Sequence, residues 1–241
     1  LESIDFLNED ALGIAQRLDA VRQGIAEAAY KSGRSAGDVR LVAVTKFVDT
    51  QRIAHAIKAG ALEVGENRAQ ELTDKYDFFR ENGQIIHFIG QLQLNKVKYL
   101  VGRADLIQSA DREEAFTEIS RIAANRGVKQ DTLVEVNIGA EPQKAGIAPC
   151  DLPELLKRIS ELPCICVKGL MCIPPAAEAE NVRGYFKHMK ELYEGLKGLE
   201  IPNVSMQILS MGMSGDYAVA VEEGATMVRV GSAIFGARQR H

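Results

Sequence analysis

The sequence predicts an α/β chain folded as a single (β/α)8 TIM barrel over residues 1–241, with an extra helix at its N-terminus. Three observations carry that expectation. Eight short β-rich segments follow one another from Leu41 onward, each trailed by a stretch of helical periodicity. Their spacing, about 20–40 residues, suits parallel strands joined by helical crossovers. No linker, charge block or low-complexity segment divides the chain. A doubly wound open sheet shares the alternation and is the structural alternative.

Leu7, Ala11, Ile14, Leu18, Val21, Ile25 and Ala28 recur at alternating steps of four and three. They describe one apolar face of a long helix, ended by Gly33. Leu41–Thr45 reads as the first strand, with Lys46 at its C-terminal end. Asp49-Thr50 caps a helix with Ile53, Ala54 and Ile57, stopped at Gly60. Strands follow at Leu62–Val64 and Ile85–Ile89, separated by a helix over Asn67–Arg80. A helix near Leu92–Val101 leads to a strand at Asp105–Gln108. Asp111 with Glu114 resembles a capping box for a helix bearing Phe116, Ile119, Ile122 and Ala123. Thr132–Asn137 is β-branched and strand-like. A helix opens at Asp151 with Pro153 in its first turn and stops before Pro163. Ile165–Cys172 is a strand broken by Pro174-Pro175. Val182, Tyr185, Phe186, Met189, Leu192 and Leu196 mark the next helix. Ser205–Leu209 and Met227–Val230 complete the strands, with a helix near Tyr217–Glu223 between them.

Composition excludes several classes. Apolar residues make up 46% and charged residues 26%, ordinary for a globular chain. A net charge of −4 argues against binding nucleic acid or a membrane surface by bulk charge. No apolar run approaches the ~20 residues of a membrane helix. Residues 1–10 are acidic without a basic residue, so no leader is expected. Cys150, Cys164, Cys166 and Cys172 form no metal-binding pattern and read as buried, reduced thiols. Cys164 and Cys166, alternating with Ile165, are expected on one face of an extended segment. A cytoplasmic location is expected on that basis.

In a barrel, chemistry belongs at the C-terminal ends of the strands. Lys46 ends the first. Alone it is an ordinary solvated lysine, or an amine at an apolar rim whose neutral form attacks carbonyls. The second strand runs into Gly65-Glu66-Asn67, where Glu66 is a rim acid or a helix cap. His87 on the third reads as a core histidine. Lys144, in the loop after the fifth, is a second amine or, preferably, a solvated one. The seventh ends in Ser210-Met211-Gly212-Met213-Ser214-Gly215, the eighth in Arg229-Val230-Gly231-Ser232. Either loop alone is an ordinary capped turn. Together, at the strands where barrels hold phosphate, they favour an anion. Arg229, inside an apolar strand, needs a buried acceptor. Lysine, phosphate loops and arginine form one constellation, suited to pyridoxal 5′-phosphate: aldehyde to Lys46, phosphate to the glycine loops, ring nitrogen to Arg229.

The chain also resembles the pyridoxal phosphate homeostasis proteins, a family related to the barrel domain of alanine racemases. The matching stretches are Ala43–Lys46, Gly65–Asn67, His87–Lys96, Val136-Asn137, Lys144–Gly146, Gly169–Met171, Ser210–Asp216 and Val228–Arg238. The resemblance implies a Schiff base between pyridoxal phosphate and Lys46, with Ser214, Gly231 and Ser232 at the phosphate. It sets Arg229 at the ring nitrogen, and Asn67 and Met211 complete the expected cofactor contacts. Two departures concern the mouth. Phe47-Val48-Asp49 stands where many members carry a proline after the lysine, and Arg68 where an aromatic is common.

Two functions follow. One is a monomeric binding protein that buffers the cofactor in the cell and hands it to apoenzymes. The other is an amino-acid racemase or another pyridoxal enzyme. The chain ends soon after the eighth strand, without the racemases' second domain, and no tyrosine follows Tyr217. Efficient turnover is therefore not expected. A phosphosugar aldolase using Lys46 is the third reading, disfavoured by Arg229 beside a phosphate site.

Overall fold

The computed structural model describes residues 2–236, with side chains from Asp10 onward. The side chain of Leu7 therefore lies outside the described set, and Ala237 and Arg238 lie outside the described residues. Eight parallel strands close into a barrel in sequence order: β1 (Arg40–Val44), β2 (Glu63–Glu66), β3 (Ile85–Phe88), β4 (Leu106–Ala110), β5 (Gln130–Val136), β6 (Ile165–Cys172), β7 (Val204–Ser210) and β8 (Met227–Val230). β8 pairs with β1 through Val42↔Arg229 and Ala43↔Val230, so no strand edge is exposed. The open-sheet alternative is thereby excluded.

Helix α1 (Glu2–Lys31) precedes the barrel, and each strand is followed by a helix: α2 (Thr50–Lys58), α3 (Ala69–Glu81), α4 (Val97–Leu100), α5 (Glu113–Arg126), α6 (Leu152–Ile159), α7 (Ala179–Lys197), α8 (Tyr217–Glu222) and α9 (Ser232–Phe235). Alternation along each strand separates two cores. Outward-facing residues such as Ala43, Val134, Leu170 and Val228 meet the helices in one large apolar layer. Inward-facing Val42, Leu106, Leu133, Met171, Ile208 and Met227 form a second, smaller cluster inside the barrel. The lumen is thus packed, as closure of eight strands requires.

α1 covers the seam between the last and first units, packing on α2, α8 and α9. Ile14, Leu18, Val21, Ile25 and Ala28 are its buried face. Arg17 Nε donates to Ile234 O at 2.7 Å, and Arg52 Nη2 to Phe235 O at 2.5 Å. These bonds satisfy the last carbonyls of α9, a single turn that could not persist alone.

Local expectations failed at several places. Asp111 does not cap α5, whose N-cap is Arg112; its carboxylate accepts from Arg112 and, at 3.3 Å, from the Gly146 amide. Cys164 lies before β6 with φ +60°, so it breaks the alternation expected with Cys166. All four cysteines are free, but only Cys172 is buried and Cys150 is exposed.

Candidate functional site

The C-terminal mouth is built first by β1. Thr45 continues the ladder, its amide donating to Gly65 O at 3.0 Å. Alternation then gives Lys46 the inward parity of Val42 and Val44, two residues past the strand. Phe47 follows at φ +60°, an uncommon conformation for a bulky side chain. Its amide donates to Glu71 Oε2 at 2.8 Å, and the Arg68 guanidinium lies 4.5 Å from its ring centroid. The two positions singled out as departures at the mouth therefore meet, as a cation stacked on an aromatic ring.

Beneath this corner lies a buried ion network. Lys75 Nζ donates to Thr45 O at 2.9 Å, to Glu66 Oε1 at 2.8 Å and to Glu71 Oε2 at 3.3 Å. Thr45 Oγ1 donates to Glu66 Oε1 at 2.7 Å. Glu66 is thus neither rim acid nor cap: it is fully buried under the Lys46 corner. Burial raises its pKa above the usual carboxylate range, against the opposing pull of Lys75.

β7 and β8 supply the opposite rim. Gly212 has φ +94°, and a Cβ there would lie 2.6 Å from Ala220 Cβ, so only glycine fits. Asp216 Oδ1 accepts from the Met213 amide at 2.6 Å and closes the turn. Ser214 Oγ accepts from the amides of Gly231 and Ala233 at 3.2 and 3.3 Å. The Gly231 amide is therefore satisfied by Ser214, while the Ser214 hydroxyl proton, polarised by two donors, faces away from them. Ser232 opens α9, so its amide has no carbonyl a turn earlier to bond. A Cβ at Gly215 would meet nothing within 4 Å, which leaves this loop open to a ligand. Met211 is fully buried behind it.

Arg229 is 3% exposed and aimed into the lumen. Its Nη1 donates to Ser210 Oγ at 2.6 Å and its Nη2 to Cys172 O at 2.9 Å, the acceptors that burial demands. Burial lowers its pKa, and burial likewise pushes the Cys172 thiol up to about 12, so that thiol stays protonated. Across β2, Asn67 carries a buried Oδ1 without a protein partner. Its neighbour in the motif, Gly65, must be glycine, since a Cβ would lie 2.9 Å from Val42 Cγ1.

Sequence reasoning missed Glu135. The register Glu135↔Met171 and Met171↔Ser210 sets it in the inward layer of Met171 and Ser210. Burial, reinforced by Asp111, raises its pKa to about 7 against the pull of Arg229. A charged residue flanked by Val134 and Val136, within the apolar half of the strand, was the available signal. His87 is fully buried, as expected of a core histidine, and its Nδ1 meets Gln108 Nε2 at 2.9 Å. Lys144 is tethered while still partly exposed: its Nζ pairs with Glu141 at 2.5 Å and donates to Pro174 O at 3.1 Å. Among the described residues no cluster of His, Cys, Asp or Glu could hold a metal ion, and no helix is long and apolar enough to cross a membrane.

Comparison with known proteins decides the family. Residues 16–239 match the model of the alanine racemase N-terminal domain. The pyridoxal phosphate homeostasis protein of Aquifex aeolicus is 42% identical over 95% of this chain and 100% of its own. That of Escherichia coli K12 is 39% identical, over 93% of this chain and 97% of its own. The chain belongs to the pyridoxal phosphate homeostasis protein family. Among solved relatives, PipY of Synechococcus elongatus with PLP bound superposes with TM-score 0.80 at 32% identity, covering 92% of this chain and 100% of PipY. The barrel of this chain also resembles alanine racemase of Clostridium difficile, at TM-score 0.67 and 16% identity over 93% of this chain and 61% of the racemase, a likeness of fold alone.

Proposed function

We propose that this chain binds pyridoxal 5′-phosphate covalently through Lys46 and serves cofactor homeostasis by holding the reactive aldehyde and releasing it to apoenzymes. The observation that carries the reading is the closure of the barrel. β1 pairs with β8 and Gly231 packs against Val44, which supports setting the loop that carries Lys46 beside the loops of Ser214 and Ser232, with Arg229 deeper on the β8 side. When bound, the cofactor supplies an aldehyde able to condense with a lysine amine. Lys46 would provide that amine, Ser214 and Ser232 with the surrounding backbone would hold the phosphate, and Arg229 would donate to the ring nitrogen. Asn67, with its unpartnered buried oxygen, and Met211, behind the phosphate loop, would line the remainder. PLP in PipY and the names of the curated relatives support the cofactor.

The reading includes a cytoplasmic monomer, checked by light scattering and cell fractionation. The experiment for the site is borohydride reduction of the PLP-loaded protein followed by peptide mapping. The adduct is expected on Lys46; an adduct found solely on another lysine, such as Lys144, would overturn the assignment. Amino-acid racemisation is the second reading, favoured by the match to the racemase domain.

A further inference from the structure

A file of polar side chains crosses the barrel lumen, and the proposed site uses only its end. Arg229 Nη1 lies 2.6 Å from Ser210 Oγ, Ser210 Oγ lies 2.7 Å from Gln108 Oε1, and Gln108 Nε2 lies 2.9 Å from His87 Nδ1. On the far side His87 Nε2 is 3.0 Å from Glu63 Oε2, and Glu63 Oε1 is 2.7 Å from Arg40 Nε. His87, Gln108 and Ser210 are fully buried, with water excluded as an alternative partner. The file thus runs from the strand starts of β1 and β2 to the mouth.

Its proton arrangement follows from what each group can do. A guanidinium only donates, so Ser210 Oγ must accept from Arg229. The single hydroxyl proton of Ser210 is then left for Gln108, which must present its oxygen. The amide NH2 of Gln108 consequently faces His87, so Nδ1 must accept. Met227 Sδ, 3.2 Å from Gln108 Nε2 and able only to accept, fixes the same amide orientation independently. Histidine is left with its proton on Nε2, beside Glu63, the charged group facing it from β2, with Arg40 of β1 beyond. Burial opposes ionisation of Glu63, but His87, 3.0 Å away, and the hydrogen bond from Arg40 outweigh this and hold its pKa below the usual value.

We infer that His87, as the neutral Nε2–H tautomer, is a positioning residue that orients Arg229 through Gln108 and Ser210. Were Nδ1 protonated, Gln108 would have to turn its oxygen toward His87 and against the Met227 sulfur. Ser210 would then face two donors, and its own proton would lose its acceptor. Either change loosens the anchor on one side of Arg229. The consequence for cofactor binding rests on the function proposed above; the tautomer does not.

Two measurements test this. In the cofactor-free protein, labelled with nitrogen-15 at histidine, long-range proton–nitrogen correlation at neutral pH should show His87 Nδ1 bare and Nε2 protonated; a protonated Nδ1 would overturn the inference. The second compares His87→Asn with His87→Leu. Asparagine offers a carbonyl where Nδ1 stands, whereas leucine only fills space. His87→Leu should weaken PLP about tenfold or more, the equivalent of one hydrogen bond to a charged group, and shift the visible absorption of the complex. His87→Asn should keep the wild-type spectrum and lose less than about threefold. Leucine binding like wild type, or asparagine as weak as leucine, would show a merely space-filling role. Should either variant fail to fold, Ser210→Ala cuts the same file nearer Arg229 and must produce the leucine phenotype; wild-type affinity there overturns the inference. Failure of the wild type to take up PLP overturns the proposed function, and the tautomer alone then decides the inference.

Discussion

Replacing Glu135 with Gln should stabilise the cofactor-free protein at alkaline pH and leave it nearly unchanged in acid. The carboxyl rises from 4.5 to about 7 on folding, chiefly because burial penalises its charged form. A group whose folded pKa is raised favours the folded state fully below the unfolded value. That contribution is lost as pH climbs through about 7. Above that pH the ionised side chain costs about 3 kcal/mol relative to a neutral one. Glutamine has nearly the same shape and carries no charge, so it removes this cost. Urea unfolding at pH 8.5 should show a gain of about 3 kcal/mol, or about 6–12 °C in Tm for a chain of this size. At pH 5 the gain should shrink to about 1 kcal/mol, because the native carboxyl is already protonated there. An equal gain at both pH values would mean that packing, not ionisation, is responsible. No gain at pH 8.5 would mean that Arg229, at the same level of the lumen, neutralises the carboxylate fully.

The ion network under Lys46 makes a second prediction. Lys75→Met strands the buried Glu66 carboxylate and should cost about 3–5 kcal/mol, most of it recovered by adding Glu66→Gln; additive losses in urea melts would refute the pairing. At the mouth, Ser214→Ala with Ser232→Ala should weaken PLP by about 1.5–3 kcal/mol per lost bond while sparing unphosphorylated pyridoxal. Equal weakening of the two ligands in fluorescence titrations would move the phosphate elsewhere.

Much of the barrel was legible because its punctuation is local. β6 and β8 have the expected bounds, Ile165–Cys172 and Met227–Val230, with Pro174-Pro175 and Gly231 marking their ends. β2 was misplaced for an equally physical reason. Gly65 and Glu66 are poor strand formers in isolation, yet pairing with His87 and Phe88 of β3 keeps both in the ladder. Asp111 satisfied the spacing of a capping box, but a loop donor from Gly146 claimed its carboxylate. The strand-end residues at the mouth were readable as a set because the barrel rule says where each strand ends. The lumen file was not. Its members come one at a time from β1, β2, β3, β4, β7 and β8, and no spacing along the chain joins His87 to Ser210. Only the donor and acceptor arithmetic of a closed interior connects them.

The inventory at the mouth also bears on turnover. Racemisation needs a proton-bearing group on each face of the substrate carbon, and Lys46 serves one face. A tyrosine would be one such opposing group. All six tyrosines, Tyr30, Tyr76, Tyr99, Tyr185, Tyr193 and Tyr217, stand on the outer helices α1, α3, α4, α7 and α8. Tyr193 donates its hydroxyl to Met206 O, and the Tyr217 hydroxyl packs against Gly24 of α1. Glu135, on β5 across the barrel from β1, is the acid of suitable pKa, but its charge is coupled to Arg229 and Asp111. In the proposed arrangement Arg229 serves the ring nitrogen, so Glu135 belongs to that end and not to the end held by Lys46. Arg229 itself keeps its proton and cannot act as a base. Without an opposing base among the described residues, a factor of about 10²–10⁴ is forfeited on the second face. Incubation of the PLP-loaded protein with L-alanine in D₂O should therefore give slow exchange and little deuterated D-alanine by chiral chromatography. Glu135→Gln should leave that slow rate unchanged. Sustained D-alanine formation at rates typical of enzymes, abolished by Glu135→Gln, would identify Glu135 as the missing base and make the chain a racemase.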